Sequence, residues 1–181
     1  MSESLPVPGG DALLEALLDA AQLFSELGIP YALAGGIAVM LYGRARPTED
    51  VDFVLATGHE AILKVHGQAM QAHHFDPACT YKLYHSSRVE IDIWKDQHAD
   101  GIAARAKELA IGKTTVRVAD VHDLIAMKLR SGRFKDDYDI AEILGRQEVN
   151  DGSIKDLVKS EEFERFVAIR ERARKGTKNE S

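Results

Sequence analysis

The sequence predicts an α/β (α+β) protein in which a small mixed sheet of about four or five strands is flanked by helices, with further helices toward the C-terminus. The first half of the chain alternates amphipathic helical segments with short apolar runs of strand length. After residue 120 only helical periodicity remains. The chain has 181 residues, of which 45% are hydrophobic, and this suffices for one compact domain with a modest extension.

In the first half of the chain, glycine and proline separate the predicted elements. Leucines that recur every three or four residues predict a helix over 11–27, which ends at a following glycine and proline. A short apolar run then stops at a pair of glycines, and alternation over 49–56 predicts a second strand. The predicted order is helix 11–27, strand 31–34, helix 37–42, strand 49–56 and helix 59–73.

The second half begins with a predicted hairpin and continues with helices. Ser86 and Ser87 separate two strand-like runs, 81–85 and 88–95. Asp120 is a suitable N-cap for the helix that follows it, because its side chain can accept hydrogen bonds from the first helical N–H groups. The remaining predicted elements are helix 99–109, strand 114–118, and helices 121–130, 136–144, 153–158 and 161–174.

These elements predict four segments along the chain. Residues 1–10 form a flexible N-terminus, 11–145 the main domain, 146–174 a C-terminal helical extension and 175–181 a disordered tail. We find no internal repeat and no linker long enough to separate two independent domains.

Composition excludes several classes of protein. The single cysteine, Cys79, cannot form a disulfide within the chain, which is typical of a reducing compartment. The N-terminus lacks the basic and apolar regions of a signal peptide, and no apolar run approaches the roughly 20 residues of a membrane span. We therefore expect a cytoplasmic protein with no membrane partner. The net charge of −6 disfavours nonspecific binding to nucleic acid but leaves a specific RNA substrate open.

Asp50 and Asp52 are the first candidate catalytic and metal-binding residues. Side chains two residues apart on a strand share a face, so these carboxylates lie a few ångströms apart and repel one another. A divalent cation between them relieves the repulsion, and oxygen ligands suit Mg²⁺ or Mn²⁺. The alternative is that one of the two is a surface residue on a half-exposed strand.

Gly35 and Gly36 are candidate phosphate-binding residues. They lie where a strand gives way to a helix, so backbone N–H groups and a helix N-terminus can converge on an anion. The following strand brings Asp50 and Asp52 to the same neighbourhood. A phosphate cradle beside a metal pair is what nucleotidyl transfer requires, although a Gly-Gly pair can also be a simple turn.

Asp92 is the candidate for a third metal-binding and catalytic carboxylate. It shares a strand face with Glu90, within the apolar run from Val89 to Trp94. Asp92 is the better candidate because it is enclosed by apolar neighbours, where an unpaired carboxylate is costly. Glu90 could instead lie at the sheet margin and pair with Arg88.

Taken together, Leu33-Ala34-Gly35-Gly36, Asp50-Val51-Asp52 and Asp92 resemble the DNA polymerase β-type nucleotidyltransferase superfamily. The segment from Asp123 to Ile140 is similar to that of AbiEii-like nucleotidyltransferases, many of which are toxin or antitoxin components. The resemblance covers roughly residues 25 to 145. It implies a nucleotidyltransferase fold, and an enzyme that transfers NMP from an NTP with Mg²⁺ or Mn²⁺ to an RNA (such as tRNA) or protein acceptor. It also implies a cognate toxin or antitoxin as a partner.

The same resemblance implies that Lys128 contacts the triphosphate. Arg133 and Lys135 follow in the next turn and could extend this phosphate site. Two alternatives remain open: Lys128 could be a solvated lysine on an amphipathic helix, and Arg133 and Lys135 could pair with Asp136 or Asp137. Asp136 itself is most simply interpreted as the cap of the helix that it begins.

Two other functions fit parts of the sequence. A small-molecule (antibiotic) nucleotidyltransferase has a similar length and the same Gly-Gly and Asp-x-Asp core. A non-catalytic, antitoxin-like binding module could use the same fold. A non-catalytic module has no need of three clustered acids, so the presence of Asp50, Asp52 and Asp92 argues against this alternative.

Overall fold

The computed structural model describes residues 10–44, 46–71, 75–111 and 114–176. Nearly all of the predicted flexible N-terminus (1–10) and most of the predicted disordered tail (175–181) lie outside these ranges, as does the end of the predicted helix 59–73. Among the described residues, none of the helices combines the length and the hydropathy that crossing a membrane would require.

The described residues contain a seven-stranded mixed sheet with helices against it, so the predicted α/β fold class is confirmed. The strand order is β3-β4-β5-β2-β1-β7-β6. Two neighbouring pairs, β2 with β5 and β1 with β7, are parallel, and the other four pairs are antiparallel. The strands are β1 (Tyr31–Leu33), β2 (Asp50–Leu55), β3 (Phe75–Cys79), β4 (Lys82–His85), β5 (Glu90–Trp94), β6 (Lys107–Ile111) and β7 (Thr114–Val118).

Eight helices are present in the described ranges, and most match predicted helices within two residues at each end. Helix α2 begins at Gly35, two residues before its predicted start, so the glycine pair forms its first turn. The helices are α1 (Asp11–Glu26), α2 (Gly35–Tyr42), α3 (Gly58–Gln71), α4 (Ala99–Arg105), α5 (Val121–Ser131), α6 (Phe134–Leu144), α7 (Asp151–Leu157) and α8 (Ser160–Gly176).

The chain divides into two compact units. The first comprises Met1–Ala38 and Arg46–Asp120, and the second comprises Val39–Ala45 and Val121–Ser181. In the second unit α5 and α6 pack with α7 and α8. The structure therefore groups residues 121–145 with the C-terminal helices, whereas the predicted main domain extended from 11 to 145.

The centre of the first unit is aromatic. Phe24 of α1, Tyr31 of β1 and Phe53 of β2 have ring centroids 5.0 to 5.7 Å apart, in tilted and edge-on arrangements that favour aromatic pairs. Each of the three is at most 2% exposed. This cluster packs α1 against the two central strands and so fixes the position of β2.

The two strands that the sequence did not predict are the edges of the sheet. The predicted helix 99–109 is wrong beyond residue 105, because Lys107–Ile111 is a strand that pairs antiparallel with β7. Only its last residue, Ile111, is buried, so the alternation typical of a half-buried strand is weak. At the other edge, β3 contains Pro77 beside a register irregularity, and proline is tolerated there because an edge strand leaves N–H groups unpaired.

A buried ionic network joins α5 to α6 in the second unit. The Lys128 ammonium, on a residue that is 2% exposed, donates to Asp136 Oδ1 at 3.0 Å and to Asp139 Oδ2 at 2.6 Å. Ser131 and Arg133 also donate to Asp136. Burial raises the pKa of Asp136, but the hydrogen bonds from Ser131 and Arg133 and the charge of Lys128 outweigh it and lower the pKa below 3.8. The stabilisation is therefore present above that pH and is lost as the pH falls further.

Lys128→Met should lower the free energy of unfolding by about 3–5 kcal/mol, because it leaves two buried carboxylates without their ammonium. Urea unfolding at neutral pH, followed by circular dichroism, measures this loss. The matched control is Lys135→Met, which makes the same substitution at an exposed position of α6 and should change stability by less than about 0.5 kcal/mol. Equal losses in the two variants would contradict the assigned role of the network.

Candidate active site

Pairing between β2 and β5 brings three carboxylates together in the first unit. In this parallel pair Asp52 is in register with Asp92, and Asp50 with Glu90, so all four acids lie on one face of the sheet. Asp50, Asp52 and Asp92 each offer a carboxylate oxygen within 4.8 Å of the other two. We call these three residues the acid triad. The structure thus brings together the three acids that the sequence proposed.

Asp52 is the most buried member of the acid triad, with 7% of the residue exposed. Trp94 Nε1 donates to its Oδ1 at 2.6 Å, and the backbone N–H of Gly36 donates to its Oδ2 at 3.3 Å. Burial and the charge of Asp50 raise the pKa of Asp52, and these two hydrogen bonds offset part of the increase. In the sequence Trp94 was noted only as the end of the apolar run around Asp92, and its role as a donor to the acid triad was not predicted.

The glycine pair lies against Asp52. Gly35 has a φ of +58°, and a Cβ added there would lie 1.7 Å from Asp52 Oδ2. A Cβ on Gly36 would lie 2.5 Å from Thr48 Oγ1. Glycine is therefore required at Gly35 because of the Asp52 carboxylate and at Gly36 because of the Thr48 side chain. That Gly35 and Gly36 bind phosphate stays a prediction, since the contacts in the structure are with side chains of the site itself.

Thr48 orients the first acid and was not identified from the sequence. Its hydroxyl donates to Asp50 Oδ1 at 2.8 Å. Asp50 is half-buried, so this bond fixes one carboxylate oxygen and leaves the other for a ligand. The sequence contained a signal for this contact. Thr48 lies two residues before Asp50, and in an extended chain side chains two residues apart share a face.

Asp92 is more exposed than Asp52 and has a cationic neighbour. Lys82 Nζ lies 3.4 Å from Asp92 Oδ1 and makes a shorter ion pair with Glu90 Oε1. Burial raises the pKa of Asp92, while the positive charge of Lys82 opposes the increase. The suggested pairing of Glu90 with Arg88 is wrong, because β4 lies beside β5 and presents Lys82 to Glu90 across the strand pair.

The acid triad fits a divalent cation of the Mg²⁺ or Mn²⁺ type. Its donors are all carboxylate oxygens, which such cations prefer. Burial raises the pKa of Asp52 and of Asp92, and for Asp92 the positive charge of Lys82 only partly offsets this increase. A bound cation would compensate both charges at once.

The predicted phosphate contacts in the second unit have other partners in the structure. Lys128 is enclosed by Asp136 and Asp139, so its ammonium is engaged within the helices rather than exposed to a ligand. Arg133, which is partly exposed, pairs with Asp136, as one of the alternatives proposed. The interpretation of Asp136 as a helix cap is wrong: the N-cap of α6 is Arg133, and Asp136 turns into the buried network.

Comparison with known proteins agrees with this fold. No protein-family model and no curated protein matches the chain. An antigenic nucleotidyltransferase-like protein from Paracoccidioides brasiliensis is similar in structure, with a TM-score of 0.59 and 23% identity over 88% of this chain and 87% of that one. At this identity the likeness shows the fold alone, and the chain therefore has a nucleotidyltransferase-like fold.

Two further solved structures are less similar. ANT(2″)-Ia in complex with adenylyl-2″-tobramycin has a TM-score of 0.47 and 16% identity, over 92% of this chain and 98% of that one. A solution structure of the antibiotic-resistance factor ANT(2″)-Ia has a TM-score of 0.45 and 15% identity, over 93% of each chain. At these TM-scores neither carries an argument about this chain. The narrower resemblance to AbiEii-like proteins stays a prediction.

Asp50→Asn should stabilise the metal-free protein by about 1 kcal/mol at neutral pH, because it removes a negative charge that repels Asp52. The sign follows from the raised pKa of Asp52: the contribution of this carboxyl group to the stability of the metal-free protein falls as the pH rises above 3.8, and it falls less in the variant. The same substitution should remove most of the stabilisation by Mn²⁺, because it removes a ligand. Thermal unfolding with and without Mn²⁺, at pH 4 and pH 7.5, measures both effects.

Asp76→Asn is the matched control, because Asp76 is exposed on β3 and does not belong to the acid triad. It should leave both the metal-free stability and the response to Mn²⁺ unchanged. If Asp50→Asn destabilises the metal-free protein, or keeps the full response to Mn²⁺, the acid triad is not the cation site.

Proposed function

We propose that the protein is a metal-dependent nucleotidyltransferase that moves NMP from an NTP to an RNA or protein acceptor. The observation that carries the proposal is the acid triad, whose carboxylate oxygens lie within 4.8 Å of one another beside the first turn of α2. Repelling acids held this close are costly to a fold unless they bind a cation. In phosphoryl transfer, such a cation neutralises charge on the phosphates and on the attacking oxygen.

Each residue of the acid triad has a separate place in this proposal. Asp52, held rigidly by Trp94 and Gly36, is the fixed ligand on which the geometry of the site depends. Asp50, oriented by Thr48, supplies a second ligand from the same strand. Holding the cation and the substrate in place contributes strongly to the rate, since the protein forms no covalent bond in this kind of phosphoryl transfer.

Asp92 is the residue assigned to the acceptor. Its side chain is 30% exposed, so an incoming hydroxyl can reach it, whereas Asp52 is enclosed. In the reaction the acceptor oxygen forms a bond to the α-phosphorus, the bond to the pyrophosphate breaks, and the hydroxyl proton passes to the Asp92 carboxylate. A carboxylate within hydrogen-bond reach of the attacking hydroxyl can act as its general base.

The acceptor class rests on the resemblance of the segment from Asp123 to Ile140 to AbiEii-like proteins, which also motivates a toxin or antitoxin partner. In the structure this segment is α5 and most of α6, and its charged residues Lys128, Asp136 and Asp139 form the buried network. The segment thus contributes to packing, and the acceptor must be identified by experiment.

Asp92→Asn should reduce nucleotide transfer at least about 100-fold, because it removes both a ligand and the proton acceptor. The protein is incubated with each of the four α-³²P-labelled NTPs and Mn²⁺, together with total RNA, a protein lysate or a panel of aminoglycosides. Labelled product is then quantified for each acceptor. Asp76→Asn again serves as the control and should retain full activity.

The acceptor that takes label decides between the possible substrates. Label in RNA or protein supports the proposal, and label in aminoglycosides alone would replace it with the small-molecule reaction. If no NTP yields product and neither ATP nor GTP shifts thermal unfolding in the presence of Mn²⁺, the protein is a binding module and the proposal fails.

A further inference from the structure

Lys82 lies at the edge of the acid triad, where the proposed chemistry does not require a fixed cation. It stands directly opposite Asp92 in the antiparallel β4–β5 pair, while Tyr84 stands opposite Glu90. Residues opposite one another across strands share a face, so Lys82, Glu90 and Asp92 form a group on the acidic face of the sheet. About one third of each side chain is exposed.

The ammonium of Lys82 is shared between two carboxylates. It makes its shorter contact with Glu90, its diagonal neighbour, and lies 3.4 Å from Asp92 Oδ1, its direct neighbour. The hydrogen bond to Glu90 raises the pKa of Lys82 above its ordinary value, so the ammonium keeps its charge at physiological pH. The Lys82 ammonium can therefore pair with either of two carboxylates that are two residues apart on β5. Of these, Asp92 belongs to the acid triad and Glu90 does not.

A divalent cation on the acid triad and an ammonium beside Asp92 repel one another. Both are attracted to the same carboxylate, so each weakens the binding of the other by the reciprocity of linkage. Glu90 changes this competition, because it offers the ammonium a second position on a carboxylate that is in register with Asp50 but does not belong to the acid triad. Without Glu90, Lys82 would have Asp92 as its nearest anion.

We infer that Lys82 and Glu90 tune the metal affinity of the acid triad: the metal-free protein shares the ammonium of Lys82 between Glu90 and Asp92, and Glu90 alone holds it when a divalent cation binds. Glu90 is then a positioning residue that acts through Lys82. The inference rests on the proposed function only in locating the cation on the acid triad. Glu90 does not belong to the acid triad, but by this inference it strengthens metal binding there.

The test measures Mn²⁺ affinity directly, from the electron paramagnetic resonance signal of free Mn²⁺ in titrations of the purified full chain without nucleotide. Lys82→Met should tighten Mn²⁺ binding about fivefold, because the competing charge is gone. Glu90→Gln should weaken binding by about the same factor, because the ammonium is left on Asp92. Lys82→Arg keeps the charge and should bind Mn²⁺ within about twofold of wild type.

The double variant Lys82→Met/Glu90→Gln separates this mechanism from a simple effect of nearby charges. If Glu90 acts through Lys82, then Glu90→Gln has no effect once Lys82 is absent, and the double variant binds Mn²⁺ as tightly as Lys82→Met alone. If the two charges act independently, the double variant returns to wild-type affinity, and the inference is overturned. It is also overturned if both single variants keep wild-type affinity and differ only in thermal stability, since the pair would then be purely structural.

Two controls make the outcome specific. The first control makes the same two substitutions in an exposed ion pair on α3, as Lys64→Met and Glu60→Gln. Each should leave Mn²⁺ affinity unchanged. Asp50→Asn distinguishes failure of the metal site from failure of the role assigned to Lys82 and Glu90. If Asp50→Asn does not weaken Mn²⁺ binding, the metal site of the proposed function fails. If it does, while Lys82→Met and Glu90→Gln bind as wild type, only the present inference fails.

Discussion

Mutual repulsion between Asp50, Asp52 and Asp92 is the constraint around which the first unit is built. The parallel pairing of β2 with β5 holds these carboxylates together, and the aromatic packing of α1 against β1 and β2 keeps β2 in place. The residues around Asp52 stabilise its carboxylate and leave room for it. Trp94 and Gly36 donate hydrogen bonds to it, and a Cβ at Gly35 would occupy the place of Asp52 Oδ2. Even so, burial keeps the pKa of Asp52 raised.

The second unit shows how the same chain compensates buried carboxylates with its own side chains. Asp136 and Asp139 share the ammonium of Lys128, and the pKa of Asp136 is lowered. The acid triad differs, because Lys82 reaches only Asp92 at its margin and the pKa values of Asp52 and Asp92 are raised. This contrast distinguishes a group of acids that the protein itself neutralises from one suited to an external cation.

The sequence predicted the parts of the structure that local patterns determine. The central strands and most helices follow from periodicity, and the acid triad follows from alternation along β2 and β5. Both edge strands were missed, because β3 contains a proline and β6 buries only Ile111, so pairing rather than local pattern makes them strands. The role of Lys128 could not be assigned from the sequence either, because its partners, Asp136 and Asp139, lie on the following helix. Its burial depends on how α5 packs against α6.

The most direct test of this account is a crystal structure with Mn²⁺ and a non-hydrolysable NTP, with Mn²⁺ located by its anomalous scattering. We expect an anomalous peak within about 2.2 Å of oxygens from Asp50, Asp52 and Asp92, with the triphosphate bridged to it. Mn²⁺ and triphosphate bound elsewhere on the protein, with the three carboxylates uncoordinated, would contradict it.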